Sequence, residues 1–294
     1  MSRIQKAFEN KKAFIAFLTA GDPSLDKTEE YILEMERAGA DLIEIGIPFS
    51  DPIAEGPVIQ EADIRALSGG VTTDDIFDMV KKLREKTEIP LVFMTYLNPV
   101  FHYGYEAFFE RCQDVGIDGI IIPDLPFEEK EEVDVVASRY GIDLISMIAP
   151  TSKERIRKIA KGAKGFLYVV SSMGVTGERT NITTDIGGML KEIRSVSNVP
   201  AAVGFGIHTP DQAAEMGRRV KKIFSIGKNS AIMFSNSIEN CKTDAGKRRT
   251  RRMGARSKEC GQDGKKESGL GKSRIRLYDN RLPLCGKLQK WCLG

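Results

Sequence analysis

The sequence predicts an α/β chain whose parallel strands close into a (β/α)8 barrel, and three observations carry that expectation. Short apolar runs alternate with amphipathic helical patterns through the first two thirds of the 294 residues. The runs are apolar on both faces, as strands are when helices cover the sheet on either side. Polar and glycine residues gather directly after each run. Seven such units suit either a doubly wound sheet or a barrel with one strand unaccounted for. Seven decorated strand ends favour the barrel, in which all of them open onto one face.

The units follow in order. "AFIAFLTA" (13–20) leads through "GDP" into the helical "SLDKTEEYILEMERAGA". "LIEIGIP" (42–48) runs into the turn "FSDPIAEGP", and "TTDDIFDMVKKLREK" is the next helix. "PLVFMTYL" (90–97) ends in "NP", and "GIIIPDLP" (119–126) precedes the helix "EEKEEVDVVASRYG". "DLISMIAP" (143–150) leads to "SKERIRKIAKGA", and "GFLYVVSS" (165–172) to the loop "MGVTGER". The seventh strand is "AAVGFGI" (201–207). Ser and Thr stand at several helix starts and Gly at several ends, where capping and left-handed backbone need them.

The net charge of +3 conceals a division. Residues 1–217 hold 23 Lys and Arg against 35 Asp and Glu, whereas residues 218–294 hold 21 against 6. Cys112 is alone in the first part, and Cys241, Cys260, Cys285 and Cys292 fall in the second. Their spacing fits no metal site, and no metal is expected. There is no apolar run long enough to span a membrane and no signal-peptide pattern at the N-terminus, so a cytoplasmic protein is expected. The expected organisation is a barrel domain over residues 1–239, irregular after 217, and a basic, disordered tail over 240–294. A basic tail also raises a nucleic-acid arm as a reading, but with one Trp and one Tyr in it and no recognised motif, solvated disorder is the better account.

Glu44 stands between Ile43 and Ile45 in a strand, where an unpaired carboxylate is expensive. It shares a strand face with Leu42 and Gly46, the interior face of a barrel, and burial there would raise its pKa toward the range useful for proton transfer. Glu55 and Asp51 lie in the following proline-bracketed loop. A strand acid and a loop acid at one barrel mouth can act on two sites of one substrate. The glycines of "SSMGVTGER" and "VGFGI", after strands six and seven, allow backbone amides to approach a phosphate.

In order along the chain, "FLTAGDP", "IEIGIPFSDPIAEGPVIQ", "YLNPV", "PDLP", "VSSMGVTGER" and "VGFGI" resemble the tryptophan synthase α subunit family over about residues 1–217. The resemblance implies a (β/α)8 TIM barrel that cleaves indole-3-glycerol phosphate to indole and glyceraldehyde 3-phosphate. It implies a β-subunit partner in an α2β2 assembly, with pyridoxal phosphate in that partner and no cofactor in this chain. By the same resemblance Glu44 is the catalytic acid at the indole ring carbon, and Glu55 occupies the position of the aspartate that engages the indole N–H. Phe17 and Met94 match walls of the indole pocket, Tyr168 a tyrosine near the glycerol chain and Thr176 a closing loop. Gly177, Phe205 and Gly206 match phosphate-side positions. Asp51, Asn98 and Pro99 match loops that face the partner.

Two departures accompany the resemblance. Glutamate replaces aspartate at residue 55. After "QAAEMG" the family continues with an eighth strand and a phosphate-binding turn, but here stands "RRVKKIFSIGKNSAIMFSNS". The expected eighth unit is therefore degraded or missing, with "IFSIG" as a candidate strand and Gly227 and Ser230 as candidate phosphate-turn residues. The abrupt change of composition points to a changed reading frame or a fusion near residue 218. A catalytically impaired subunit that only binds the β partner is the alternative function.

Overall fold

The strand β1 (Lys12–Thr19) pairs in parallel with β2 (Leu42–Gly46), and the ladder continues through β3 (Leu91–Met94), β4 (Gly119–Ile121), β5 (Asp143–Ile148), β6 (Leu167–Val170) and β7 (Ala201–Gly204) to β8 (Ser230–Ser235). β8 returns to pair with β1, so the sheet is a closed barrel in sequence order. This computed structural model describes residues 2–9, 12–170, 185–204 and 230–235. They belong to the unit Met1–Asn236, and Ser237–Gly294 is assigned to a second unit. The expected tail, 240–294, lies outside the described residues.

Of the expected irregular eighth unit, the described residues include a strand. "SAIMFS" aligns Ser230 with both Lys12 and Ala201, and runs alongside β1 as far as Phe17 and Ser235. An open seven-stranded sheet would leave two rows of unpaired amides and carbonyls, and this strand satisfies both. The candidate strand "IFSIG" (223–227) lies outside the described residues. The other strands agree with the sequence in place but end earlier than their apolar runs. β3, for example, stops at Met94, and the apolar Tyr96 and Leu97 turn into the helix α5 (Leu97–Tyr103).

The helices around the barrel are α2 (Leu25–Arg37), α3 (Pro57–Ser68), α4 (Thr73–Arg84), α6 (Tyr105–Val115), α7 (Lys130–Arg139), α8 (Lys153–Lys161) and α9 (Ile186–Arg194), with α5 between β3 and α6. Their starts follow local chemistry. The Ser24 and Ser152 hydroxyls accept from the amides of Lys27 and Arg155, and Thr72 and Asp75 form a reciprocal capping box. α3 opens on Pro57, whose missing N–H would have had no helical partner anyway. Gly116 ends α6 at φ +80°, a backbone shape that favours glycine.

Alternation along β2 divides the core into two layers. Ile43 and Ile45 pack outward with Phe77, Phe93 and Phe108 beneath the helices, while Leu42 packs inward with Ile15, Val92, Ile121 and Ile145. The short helix α1 (Arg3–Ala7) closes the N-terminal end of the barrel, with Ile4, Ala7 and Phe8 joining the inner layer and the Phe8 ring 5.7 Å from that of Phe166. At the same end Asp118 receives Arg84 at 2.7 Å, Arg3 at 3.1 Å and the Leu91 amide at 2.9 Å. This ties three segments of chain below the barrel and leaves its other end for chemistry. No helix among the described residues is long and apolar enough to cross a membrane.

Candidate active site

Glu44 is the third residue of β2, aligned with Phe17 of β1 and Val92 of β3 and pointing with Leu42 into the barrel. It is 2% exposed, and its Oε1 meets no hydrogen-bond partner among the described residues. Burial, reinforced by the charge of Glu55, pushes its pKa well above the usual carboxylate range. A carboxyl held this way keeps its proton near neutral pH and can donate it.

Phe17 and Tyr168 share this interior, both buried, and Met94 is partly buried against the same layer. The Tyr168 phenol is pushed up by burial and by the charges of Glu44 and Glu55, so it is a neutral hydrogen-bonding group at any working pH. Gly46 makes room for the pocket wall, because a Cβ there would lie 2.8 Å from the Phe17 ring. Two apolar side chains, a phenol and a neutral acid therefore share the barrel interior, a combination suited to a flat aromatic substrate with a polar arm.

Glu55 lies in the segment between β2 and α3 and is 7% exposed. The Tyr96 hydroxyl accepts from the Ala54 amide at 2.9 Å and reaches Glu55 Oε1 at 3.4 Å, while Gln60 Nε2 donates to the Glu55 carbonyl at 2.9 Å. The Tyr96 ring stacks at a tilt on Phe49, 5.5 Å between centroids. Leu97, the first residue of α5, donates its amide to Asp124 at 2.9 Å, which fixes the turn carrying Tyr96. Burial and the Glu55 charge raise the Tyr96 pKa, so the phenol keeps its proton.

A third acid, Asp63, escaped the sequence reading. It lies on α3 and is 6% exposed. Its pKa is pushed up to about 8 by burial and then by the charge of Glu55. A signal was available, since Ile59, Ala62, Asp63 and Ala66 form the buried stripe of α3 and one of the four is an acid. Tyr96 was also overlooked, its motif "YLNPV" having been assigned only to a partner-facing loop.

Of the remaining residues singled out in the sequence, Asp51 is exposed and accepts from its neighbour Ser50 at 2.5 Å. Asn98 is exposed and Pro99 half-buried, both on α5. Thr176, Gly177, Phe205, Gly206 and Gly227 lie outside the described residues. Ser230 is not brought to the mouth. As the first residue of β8, level with the first residues of β1 and β7, it stands at the opposite rim, because the strand begins where the sequence suggested a turn. No cluster of metal-ligating side chains is present among the described residues.

Residues 4–259 match the family model described as "Tryptophan synthase alpha chain". Among curated relatives, the tryptophan synthase alpha chain of Lacticaseibacillus casei is 51% identical over 216 residues, covering 74% of this chain and 81% of that one. The corresponding chain of Alkaliphilus metalliredigens is 50% identical over 214 residues, covering 73% and 79%. Among solved structures, tryptophan synthase subunit alpha from Campylobacter jejuni superposes with a TM-score of 0.69 at 34% identity, covering 81% of this chain and 92% of its own. A Mycobacterium tuberculosis tryptophan synthase structure gives 0.70 at 30% identity, covering 80% and 88%.

Proposed function

The chain belongs to the tryptophan synthase α chain family, and from that premise we propose that it is a carbon–carbon lyase cleaving indole-3-glycerol phosphate to indole and glyceraldehyde 3-phosphate in tryptophan biosynthesis. The observation that carries the reading is Glu44, a buried, proton-retaining acid with an unpartnered oxygen, set in the barrel interior opposite Phe17.

The reaction divides between the two glutamates. Glu44, protonated, gives its proton to the indole carbon that bears the side chain, while Glu55, ionised, takes the ring N–H proton; the ring becomes the non-aromatic tautomer. Glu44, now a carboxylate, removes the proton of the adjacent side-chain hydroxyl. The C–C bond breaks, its electron pair returns to the ring, and the nitrogen recovers its proton from Glu55. An aldehyde leaves with the phosphate, indole is released, and both glutamates are back in their starting states. Phe17 and Met94 support the indole plane, and Tyr168 faces the polar arm. Thr176, Gly177, Phe205 and Gly206 are assigned to loop closure and the phosphate, a role that rests on the family resemblance. The chain's own chemistry in this scheme uses no cofactor.

The proposed partner is a tryptophan synthase β subunit carrying pyridoxal phosphate, in the cytoplasm. One related structure is titled a tryptophan synthase complex from Pyrococcus furiosus. Asp51, Asn98 and Pro99 lie on segments that also carry the exposed Ile53 and Phe101, 72% and 65% accessible, and such apolar side chains suit a docking surface.

The test is indole release from indole-3-glycerol phosphate by the purified chain, alone and with a β subunit, with Glu44→Gln as control. Indole that appears with the parent and is lost with Glu44→Gln supports the reading. A folded parent that releases none under either condition overturns it as an enzyme and leaves β-subunit binding, measured by co-elution, as the function.

A further inference from the structure

Four threonines are buried among the described residues, and three of them satisfy their hydroxyls within the protein. Thr28 Oγ1 donates to the Ser24 carbonyl and accepts from the Gly21 amide, both at 2.9 Å. Thr87 Oγ1 accepts from the Ile89 amide at 3.0 Å, and Thr95 Oγ1 donates to the Ile47 carbonyl at 3.4 Å. Thr19, 5% exposed, is the exception: its Oγ1 meets no hydrogen-bond partner among the described residues. A hydroxyl buried without a partner costs free energy that a valine in its place would not.

Its place in the barrel supplies a reason for that cost. Ile15 belongs to the inner layer, and Phe17 and then Thr19, the last residue of β1, follow it at two-residue spacing on the same face. Thr19 is level with Gly46, which has no side chain, and Gly46 lies two residues beyond Glu44, whose Oε1 is also without a partner. Two neighbouring strands thus each set an unsatisfied polar atom into the interior, Glu44 deeper and Thr19 nearer the strand ends. β1 also stands between β2, which carries the acid, and β8, which closes the barrel.

We propose that Thr19 is a substrate-binding residue whose hydroxyl pairs with the middle hydroxyl of the glycerol arm, the one between the hydroxyl that Glu44 deprotonates and the carbon that bears the phosphate. The inference rests on the lyase reading above and extends it. The reacting ring carbon lies at Glu44 on β2, and barrels of this kind commonly bind phosphate in the loops after their last two strands. An arm joining those two points runs past the end of β1, the strand between β2 and β8. The proton transfers involve the ring and the adjacent hydroxyl, and they leave the middle hydroxyl to be bound. A threonine hydroxyl both donates and accepts, so it suits either sense of that bond. A substrate without the middle hydroxyl leaves Thr19 buried and unpaired, which is how a polar site rejects an analogue that lacks the matching group.

The test compares the parent with Thr19→Val, which keeps the shape and loses the hydroxyl, and with Thr19→Ser, which keeps the hydroxyl, each as the full chain with a β subunit. Indole release is measured from indole-3-glycerol phosphate and from the analogue with a methylene in place of the middle carbinol. Thr19→Val should lower kcat/KM for indole-3-glycerol phosphate by roughly tenfold and leave that for the analogue almost unchanged. Thr19→Ser should recover most of the loss. Equal losses on both substrates, or none on either, overturn the proposal. Thermal unfolding of the free chain needs no turnover. Thr19→Val should unfold at the parent's temperature or above it, whereas a lower midpoint means that the hydroxyl has a partner within the fold and overturns the proposal. A parent that releases no indole overturns the lyase reading, and calorimetric titration with indole-3-glycerol phosphate then decides for Thr19. Weaker binding by Thr19→Val than by the parent supports the contact, and equal binding overturns it.

Discussion

The Phe17 ring occupies the space that a side chain on Gly46 would need, since a Cβ at Gly46 would lie 2.8 Å from the ring. The two residues sit on adjacent strands, and the glycine leaves room for an aromatic ring beside Glu44. Gly46→Ala is therefore expected to tilt or push the ring. Overpacking of this kind costs about 1–3 kcal/mol, read from the denaturation midpoint. KM for the indole substrate should rise with it, while kcat in saturated enzyme changes less.

Tyr96 serves Glu55 and the Ala54 amide together. Tyr96→Phe leaves the amide without its acceptor and takes one donor from the carboxylate. Stability should fall by about 1 kcal/mol, and kcat/KM for indole release by roughly tenfold. Glu55→Gln, which cannot take the ring proton, should lower kcat by roughly 10²–10⁴. A Tyr96→Phe variant as active as the parent would remove the phenol from the assembly that holds Glu55.

Burial of acids has a thermodynamic sign. Asp63 is raised from 3.8 to about 8, so between those values the folded chain holds a proton that the unfolded chain has released. Its contribution to instability is absent below about pH 4 and grows as pH rises toward 8. Glu44 acts in the same direction, being raised by burial. Asp63→Asn should therefore gain stability relative to the parent at pH 7.5, on the order of 3 kcal/mol, and little at pH 4. Glu44→Gln should also be more stable than the parent at neutral pH although inactive, a trade common where a site is built from unfavourable charges. Thermal unfolding of the three chains at both pH values checks the signs.

At the opposite end, Asp118→Asn removes the charge that holds Arg84, whose side chain is 10% exposed. An uncompensated buried guanidinium costs about 3–5 kcal/mol. The clamp lies at the N-terminal end of the barrel, so kcat at temperatures where the variant remains folded should match the parent. A large loss of kcat there would mean that the two ends communicate.

The alternation of β2 made Glu44 legible as an interior acid, because residues two apart share a strand face, and Phe17 and Tyr168 fall inside the barrel in the same way. The seven strands and the helices between them were readable for that reason too. Strand ends were not, since Tyr96 and Leu97 are apolar where the chain turns into α5, Tyr96 packing on Phe49, rather than in a ladder. Asp63 was hidden by its own helix: one acid in "QEADIRAL" looks like surface until α3 is phased and its buried stripe counted. β8 could not be fixed from the sequence, because "IFSIG" and "SAIMFS" carry similar apolar content and it is pairing with β1 and β7 that identifies "SAIMFS" as a strand.

The pairing of β1 with β8 joins the first strand of the barrel to its last. On the ribosome, β1 emerges early and cannot acquire this neighbour until Ser230–Ser235 has been synthesised and has cleared the exit tunnel. Until then the nascent sheet carries a bare edge on β1 and another on β7, both competent to pair with a strand of another chain. Messages truncated before codon 230 would yield chains for which that exposure never ends, so the six residues of β8 also determine whether the newly made protein is a client for chaperones or is finished.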